Sequence, residues 1–170
     1  MSEEIDAMRL PQGDVRLLHT PPAQEMLQSK EPARIAYLGP DGLPRVVTMQ
    51  FHWTGEELVV TSVATLPKVR ALRDRPEVAI TIDTFAIAEG TPMRVLSIRG
   101  EAVVTEVEGV VPEAYLANCR YIGQKAADGW AAWISQQGTP IARIAVRPTW
   151  VSLLDYQTRF PQGWPDHLRP

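Results

Sequence analysis

A single cysteine, Cys119, stands in the whole sequence. One thiol cannot form an intramolecular disulfide, and a cysteine-rich zinc site is excluded with it. Histidines are scarce too: His19, His52 and His167 lie far apart, with no His-x-His or His-Glu-x-x-His spacing, so no dedicated metal site is expected. Nowhere do 18 uncharged apolar residues run together, which leaves no candidate membrane-spanning helix. The opening stretch MSEEIDAMRLPQGD is acidic and lacks the apolar core of a secretory signal. A basic surplus is also missing. Seventeen lysines and arginines face 20 aspartates and glutamates, a net charge of −3, where a nucleic-acid binder is expected to carry a basic stripe. No Gly-x-Ser-x-Gly elbow and no paired nucleophile and base occur. The expectation is a soluble cytoplasmic protein with a small-molecule partner, and neither nucleic acid nor membrane.

What is present is ordinary in bulk and informative in pattern. Apolar residues make up 45% and charged residues 22% of 170, enough for one domain with a real core. Residues 1–20 read as an extended arm, 21–156 as the folded domain and 157–170 as a proline-rich tail. TPPAQEMLQS carries helix-start chemistry, with prolines allowed in the first turn. ARIAYL (33–38) is a short apolar run ended by the turn residues GPDG. PRVVTMQFHWT then alternates: Val47, Met49, Phe51 and Trp53 share one parity, and Val46, Thr48, Gln50 and His52 the other. That period of two predicts one strand with unlike faces.

GEE (55–57) reads as a hairpin turn and LVVTSV (58–63) as the returning strand. A short helix follows from Thr65 to about Asp74, with Val69 and Leu72 facing inward, and EVAITID (77–83) is another strand. MRVLSIRGEAVVTEV (93–107) is a long strand whose Gly100 marks a bend or bulge. PEAYLANCRYI and QKAADGWAAWISQQ are helices, and a last strand over 140–156 is interrupted at Pro148. About six strands joined mostly by short connections predict a mainly β fold with peripheral α, a small antiparallel barrel. A parallel sheet would need a helix between each pair of strands.

The segment TLPKVRALRDRPEVAITID gathers a lysine and three arginines into an otherwise acidic chain. Lys68 and Arg70 fall near a helix start, where the dipole disfavours cations by about 0.3–1 kcal/mol each. The hydroxyls of Thr61, Ser62 and Thr65, the free amides of the first helical turn and the Lys68 ammonium would together form a phosphate cradle, with Arg70 adding charge. The alternative is a solvated basic face paired with Asp74 and Glu77.

Two stretches, ARIAYLGPDGLPRVVTMQFHW and LVVTSVATLPKVRALRDRPEVAITID, resemble the pyridoxamine 5'-phosphate oxidase-like FMN-binding split barrels, a superfamily of flavin- and deazaflavin-dependent oxidoreductases. The resemblance covers residues 22–107 and, more loosely, 140–155. It implies a six-stranded antiparallel split β-barrel of Greek-key order, and a homodimer with FMN, or alternatively the deazaflavin F420, at the interface. By resemblance the ring lies along Arg45–Gln50, touching Val46, Val47, Thr48 and Met49. Thr61, Ser62 and Lys68 contact the phosphate, and Arg45 and Arg70 serve a longer acidic tail if the cofactor is F420. Departures from the oxidases' pattern argue against pyridoxamine-phosphate oxidation itself. Gln50 stands where the oxidases carry lysine, and Pro67-Lys68 replaces an Arg-Lys pair. Arg159 and His167 also do not form the family's Arg-x-His signature. Trp150, Trp133 and Arg159 are the candidates for a substrate pocket, although Trp133 shares its helix with Trp130 and Ile134 at a spacing that also suits packing. A branch of the superfamily binds haem, which needs an axial ligand; His52 would be the main candidate, and haem is not expected here.

Overall fold

Residues 10–85, 90 and 92–169 are described by the computed structural model; most of the expected amino-terminal arm lies outside them. Seven strands form: β1 (Ala33–Leu38), β2 (Pro44–Met49), β3 (His52–Trp53), β4 (Leu58–Val63), β5 (Glu77–Asp83), β6 (Arg94–Val107) and β7 (Ile141–Asp155). Four helices accompany them: α1 (Pro21–Gln28), α2 (Pro67–Asp74), α3 (Pro112–Ile122) and α4 (Gln124–Gln137). Pairing is antiparallel throughout, in the order β2-β1-β5-β6-β7-β4-β3.

That order corrects the expected count of six strands. The alternating stretch 44–54 is two strands, because β2 pairs at one end of the sheet and β3 at the other. The break falls at Gln50–Phe51, where the Phe51 carbonyl accepts from Arg120 of α3 (2.5 Å). The same order forces curvature. A flat sheet of seven strands would hold its outer strands about 29 Å apart. Met49 and His52 are only three residues apart, a span of at most about 11 Å. The sheet must therefore roll until its two ends meet, without a ladder closing them.

The rolled interior is the core. Phe51, Leu58, Val60, Ile80, Ile98, Ile144 and Leu153 fill it, and Val47, Met49 and Trp53 pack against it, so the parity read from the sequence holds across the break. Leu17 and Leu18 of a 3-10 turn, Met26 and Leu27 of α1, and Val69 and Leu72 of α2 join the same cluster. Each such side chain contributes about 1.5–3 kcal/mol of burial.

The long pair β6–β7 changes register between Arg99 and Gly100: Gly100 lies opposite Pro148 and Arg99 opposite Trp150, leaving Thr149 as the extra residue. β7 is therefore continuous but bulged at the predicted interruption. A Cβ on Gly100 would sit 2.3 Å from the Arg147 carbonyl oxygen, so only glycine permits this approach. Beyond the bulge no described strand pairs with the second edge of β7. Gly13 N–H donates to Val151 O (2.7 Å), and the Gln12 amide both donates to Leu153 O (2.8 Å) and accepts from Leu153 N–H (2.9 Å). The described part of the arm covers that edge. Arg159 fastens the tail beside it, donating to Leu153 O (2.9 Å) and Leu10 O (2.5 Å).

Candidate functional site

The basic segment folds as expected into a helix, α2, capped by Leu66 with Pro67 in its first turn. Lys68 is half-buried, and among the described residues it has no ion-pair or hydrogen-bond partner. Burial pulls the pKa of its ammonium below the ordinary lysine value. An anion placed against it would reverse that penalty. Arg70 is exposed, and Arg73 is held by Glu106 (2.5 Å). The first turn presents fewer free amides than a bare helix end. Leu66 N–H donates to Val63 O (3.2 Å), Val69 N–H donates to Leu66 O (2.9 Å), and Pro67 has none to give.

Strand alternation separates two residues grouped by sequence. Ser62 lies on the inward side with Leu58 and Val60; it is buried, and its hydroxyl has no hydrogen-bond partner. Thr61 lies on the outward side, in register with Arg143 of β7. Arg143 is itself gripped by Glu113 (2.7 and 2.9 Å) and Glu57 (3.3 Å). Thr65, in the turn before α2, is exposed.

β2 divides its residues in the same way. Val47 and Met49 pack on the core, whereas Val46, at 66% exposure, Thr48 and Gln50 face outward. Arg45 is tied to Asp41 (2.6 Å) in the β1–β2 turn. The register places Val46 at the end of a continuous outward row across five strands: Val46, Ala36, Ala79, Arg99, Trp150. A parallel row runs Thr48, Arg34, Thr81, Ser97, Ser152. Trp150 thus shares a face with Val46 and Thr48, but four strand spacings away, about 19 Å. Its ring lies under the Arg99 guanidinium (4.2 Å) and against Gly13, where a Cβ would come within 2.9 Å of Nε1. Arg34 pairs with Asp83 on the same face.

The other candidates lie apart from β2. Trp133 is exposed on α4, while Trp130 and Ile134 of the same helix pack with Val111, Ala114 and Ile141. Arg159 serves the tail as described. His52 lies half-buried beside α3, between Arg120 and Glu113; burial first, and then the Arg120 charge, push its pKa down. Among the described residues no cluster of histidine, cysteine, aspartate and glutamate could hold a metal ion. The described clefts also lie elsewhere, one of about 290 Å³ beside Val15, Trp53 and Arg147 and another of about 380 Å³ beside Glu108, Ser135 and Pro140.

Sequence reasoning did not single out the residues that share this outward face with Val46 and Thr48, namely Arg34, Thr81, Ser97 and Arg99. Their signal was present: β5 and β6 alternate large inward residues with Ala79, Thr81, Ser97 and Arg99 outward. What alternation could not supply was the register that lines them up with Val46 and Thr48.

No protein-family model and no curated protein matches the chain. Solved structures do. An F420 reductase is 30% identical, with a TM-score of 0.56, over 76% of this chain and 94% of that one. A Clostridium acetobutylicum protein of the pyridoxinephosphate oxidase family superposes with a TM-score of 0.53 at 10% identity, over 79% and 86%. The chain belongs to the pyridoxamine 5'-phosphate oxidase-like split-barrel superfamily. At 20% identity another barrel of similar fold is HutZ, the haem storage protein of Vibrio cholerae, with a TM-score of 0.54 over 79% and 92%. Within this superfamily the rolled, unclosed sheet is the barrel, and the split lies between β2 and β3. No helix among the described residues is long and apolar enough to cross a membrane.

Proposed function

We propose that this split barrel is an oxidoreductase that works with a phosphate-bearing deazaflavin or flavin, F420 in the first reading and FMN in the second. The observation that carries it is Lys68, a half-buried cation at the start of α2 that has no counter-ion among the described residues. The donors suited to a phosphate are the Lys68 ammonium and the exposed Thr65 hydroxyl in the turn before α2, whereas Ser62 faces the core and is not among them. The 30% identity to an F420 reductase favours F420, whose long acidic tail would also use the exposed Arg70. The pairing of Arg45 with Asp41 favours FMN, since one tail cation is already occupied and a single phosphate needs only the Lys68 cradle.

When bound, either cofactor supplies hydride transfer between a reduced donor and a small organic acceptor. The chain supplies position and electrostatics. Lys68 would hold the phosphate, Val46 would give the ring an apolar bed, and Thr48 would offer a hydroxyl to a ring heteroatom. No residue of the chain is assigned as nucleophile. Pyridoxamine-phosphate oxidation is not proposed, because Gln50 and Pro67 depart from the oxidases and Arg159 is committed to the tail. In this reading the working form is a cytoplasmic homodimer with the cofactor at its interface.

Titration of the purified protein with F420, followed by fluorescence, and with FMN, followed by absorbance, tests the proposal. Saturable micromolar binding of F420 in preference to FMN supports the first reading, and the reverse preference supports the second. Binding of neither overturns both.

A further inference from the structure

The cleft of about 290 Å³ beside Trp53 lies where three separate parts of the chain meet: the 3-10 turn Val15–His19, the β3–β4 turn, and β7 at its bulge. All three are held in place. Leu17 and Leu18 anchor the 3-10 turn in the core, and Asp14 caps it by accepting from the Arg16 N–H (2.9 Å). The Thr54 hydroxyl accepts from the N–H groups of Glu56 (3.3 Å) and Glu57 (3.0 Å), which fixes the β3–β4 turn. The close approach at Gly100 fixes the bulge. A concave site formed before its ligand arrives loses little to ordering when it binds. Its volume is at the small end for ligand pockets, and suits a molecule of amino-acid size.

The lining has two chemical parts. Val15, Leu18, Trp53 and Pro148 make it apolar inside. Trp53 packs against the core and also lines the cleft, and its indole N–H has no hydrogen-bond partner among the described residues. A tryptophan packed into a protein usually finds one. The second part is a pair of opposite charges at the rim, Arg147 and Glu56 (3.1 Å). These side chains are 69% and 77% exposed, and neither has another partner among the described residues. An ion pair this exposed is weak, so each half is readily shared with a ligand.

We propose that this cleft is a second small-molecule site, and that it takes a zwitterion bearing a flat apolar ring, the class of a free aromatic α-amino acid. The ring lies against Trp53 and Pro148, the carboxylate pairs with Arg147 and the ammonium with Glu56. A plain anion would leave its charge against Glu56, and a plain cation against Arg147. A head carrying both signs satisfies both, so the rim selects by charge while the floor selects for the ring. The β3–β4 turn precedes β4 and Lys68 follows it, so this cleft and the proposed phosphate cradle lie at opposite ends of that strand.

Calorimetric titration of the full chain, without cofactor, tests the assignment. The probe is L-phenylalanine, set beside three compounds that each lack one feature: phenylalaninamide, N-acetylphenylalanine and alanine. The expected result is one saturable site for phenylalanine, with each of the other three at least about tenfold weaker. Arg147→Gln and Glu56→Gln change only exposed side chains; each should weaken phenylalanine about tenfold and leave the melting temperature near that of the wild type. Location is read from the tryptophan indole N–H resonances, where phenylalanine should shift the signal that disappears in Trp53→Phe. Absence of saturable binding up to about 10 mM would overturn the proposal. So would equal binding of the amide or the N-acetyl compound, unchanged affinity in either surface variant, or shifts confined to the other indole signals. None of these readouts uses a flavin or deazaflavin, so failure here and failure of the proposed function are separate results.

Discussion

Replacing Lys68 by methionine keeps the aliphatic stem of the side chain and deletes only its ammonium. In the free protein that ammonium is half-buried without a partner among the described residues, and burial holds its pKa down. Charge in such a place opposes folding, and so does its position at the positive end of α2. The variant should therefore melt no lower than the wild type without cofactor. Binding should respond in the opposite sense. A charge-assisted hydrogen bond to phosphate is worth about 1.5–3 kcal/mol, so its loss should weaken the cofactor by about 10- to 150-fold. The assay pairs thermal melting of the cofactor-free protein with a fluorescence titration of F420, or an absorbance titration of FMN. Lys68→Arg, which restores a cation, should recover part of the affinity. Unchanged affinity in Lys68→Met, or a lower melting temperature of the free variant, would refute the view that this side chain waits for an anion.

Further outcomes follow from the packing. Gly100→Ala drives a methyl against the Arg147 carbonyl and the Val146 side chain and should cost about 2–4 kcal/mol, whereas Gly129→Ala, with open space around it in α4, should stabilise by about 0.4–1 kcal/mol; urea denaturation reads both. Arg120→Met leaves the Phe51 and Leu27 carbonyls without their donor and should cost about 2–3 kcal/mol, or roughly 5–10 °C in melting temperature. His52 has a folded-state pKa below its unfolded value of about 6.5, so between the two the unfolded chain binds more protons. Its contribution is intact above about pH 6.5 and is lost as the pH falls toward the folded value; His52→Gln should flatten melting temperature against pH in that window, and an unchanged slope would assign the dependence to other groups.

Much of the architecture was legible along the chain because strands and helices write their periods locally. The two parities of 44–53 survive as inner and outer faces, Val69 and Leu72 anchor α2, and Gly100 sits at the register shift. The break at Gln50–Phe51 was not legible, because it is made by pairing at opposite ends of a sheet and by an arginine some 70 residues away. The candidate site was read as a set of types and a set of places, and only the first transferred intact. Thr61 and Ser62 are neighbours in sequence, yet they point to opposite faces, toward Arg143 and toward the core. Trp150 was chosen for its place on the last strand; the structure sets it on the same face as Val46 but across the sheet.

By itself, then, the sequence determined which segments are extended and which helical, the inward parity along them and the concentration of cation at one helix start, since each depends on residues within a few positions of one another. Tertiary structure alone decided that the sheet rolls, that Lys68 has no counter-ion among the described residues, and that Val46, Arg34, Thr81, Ser97 and Trp150 share one face. Those facts depend on register between distant strands. Register is set by the summed packing of the whole barrel, which no local period encodes.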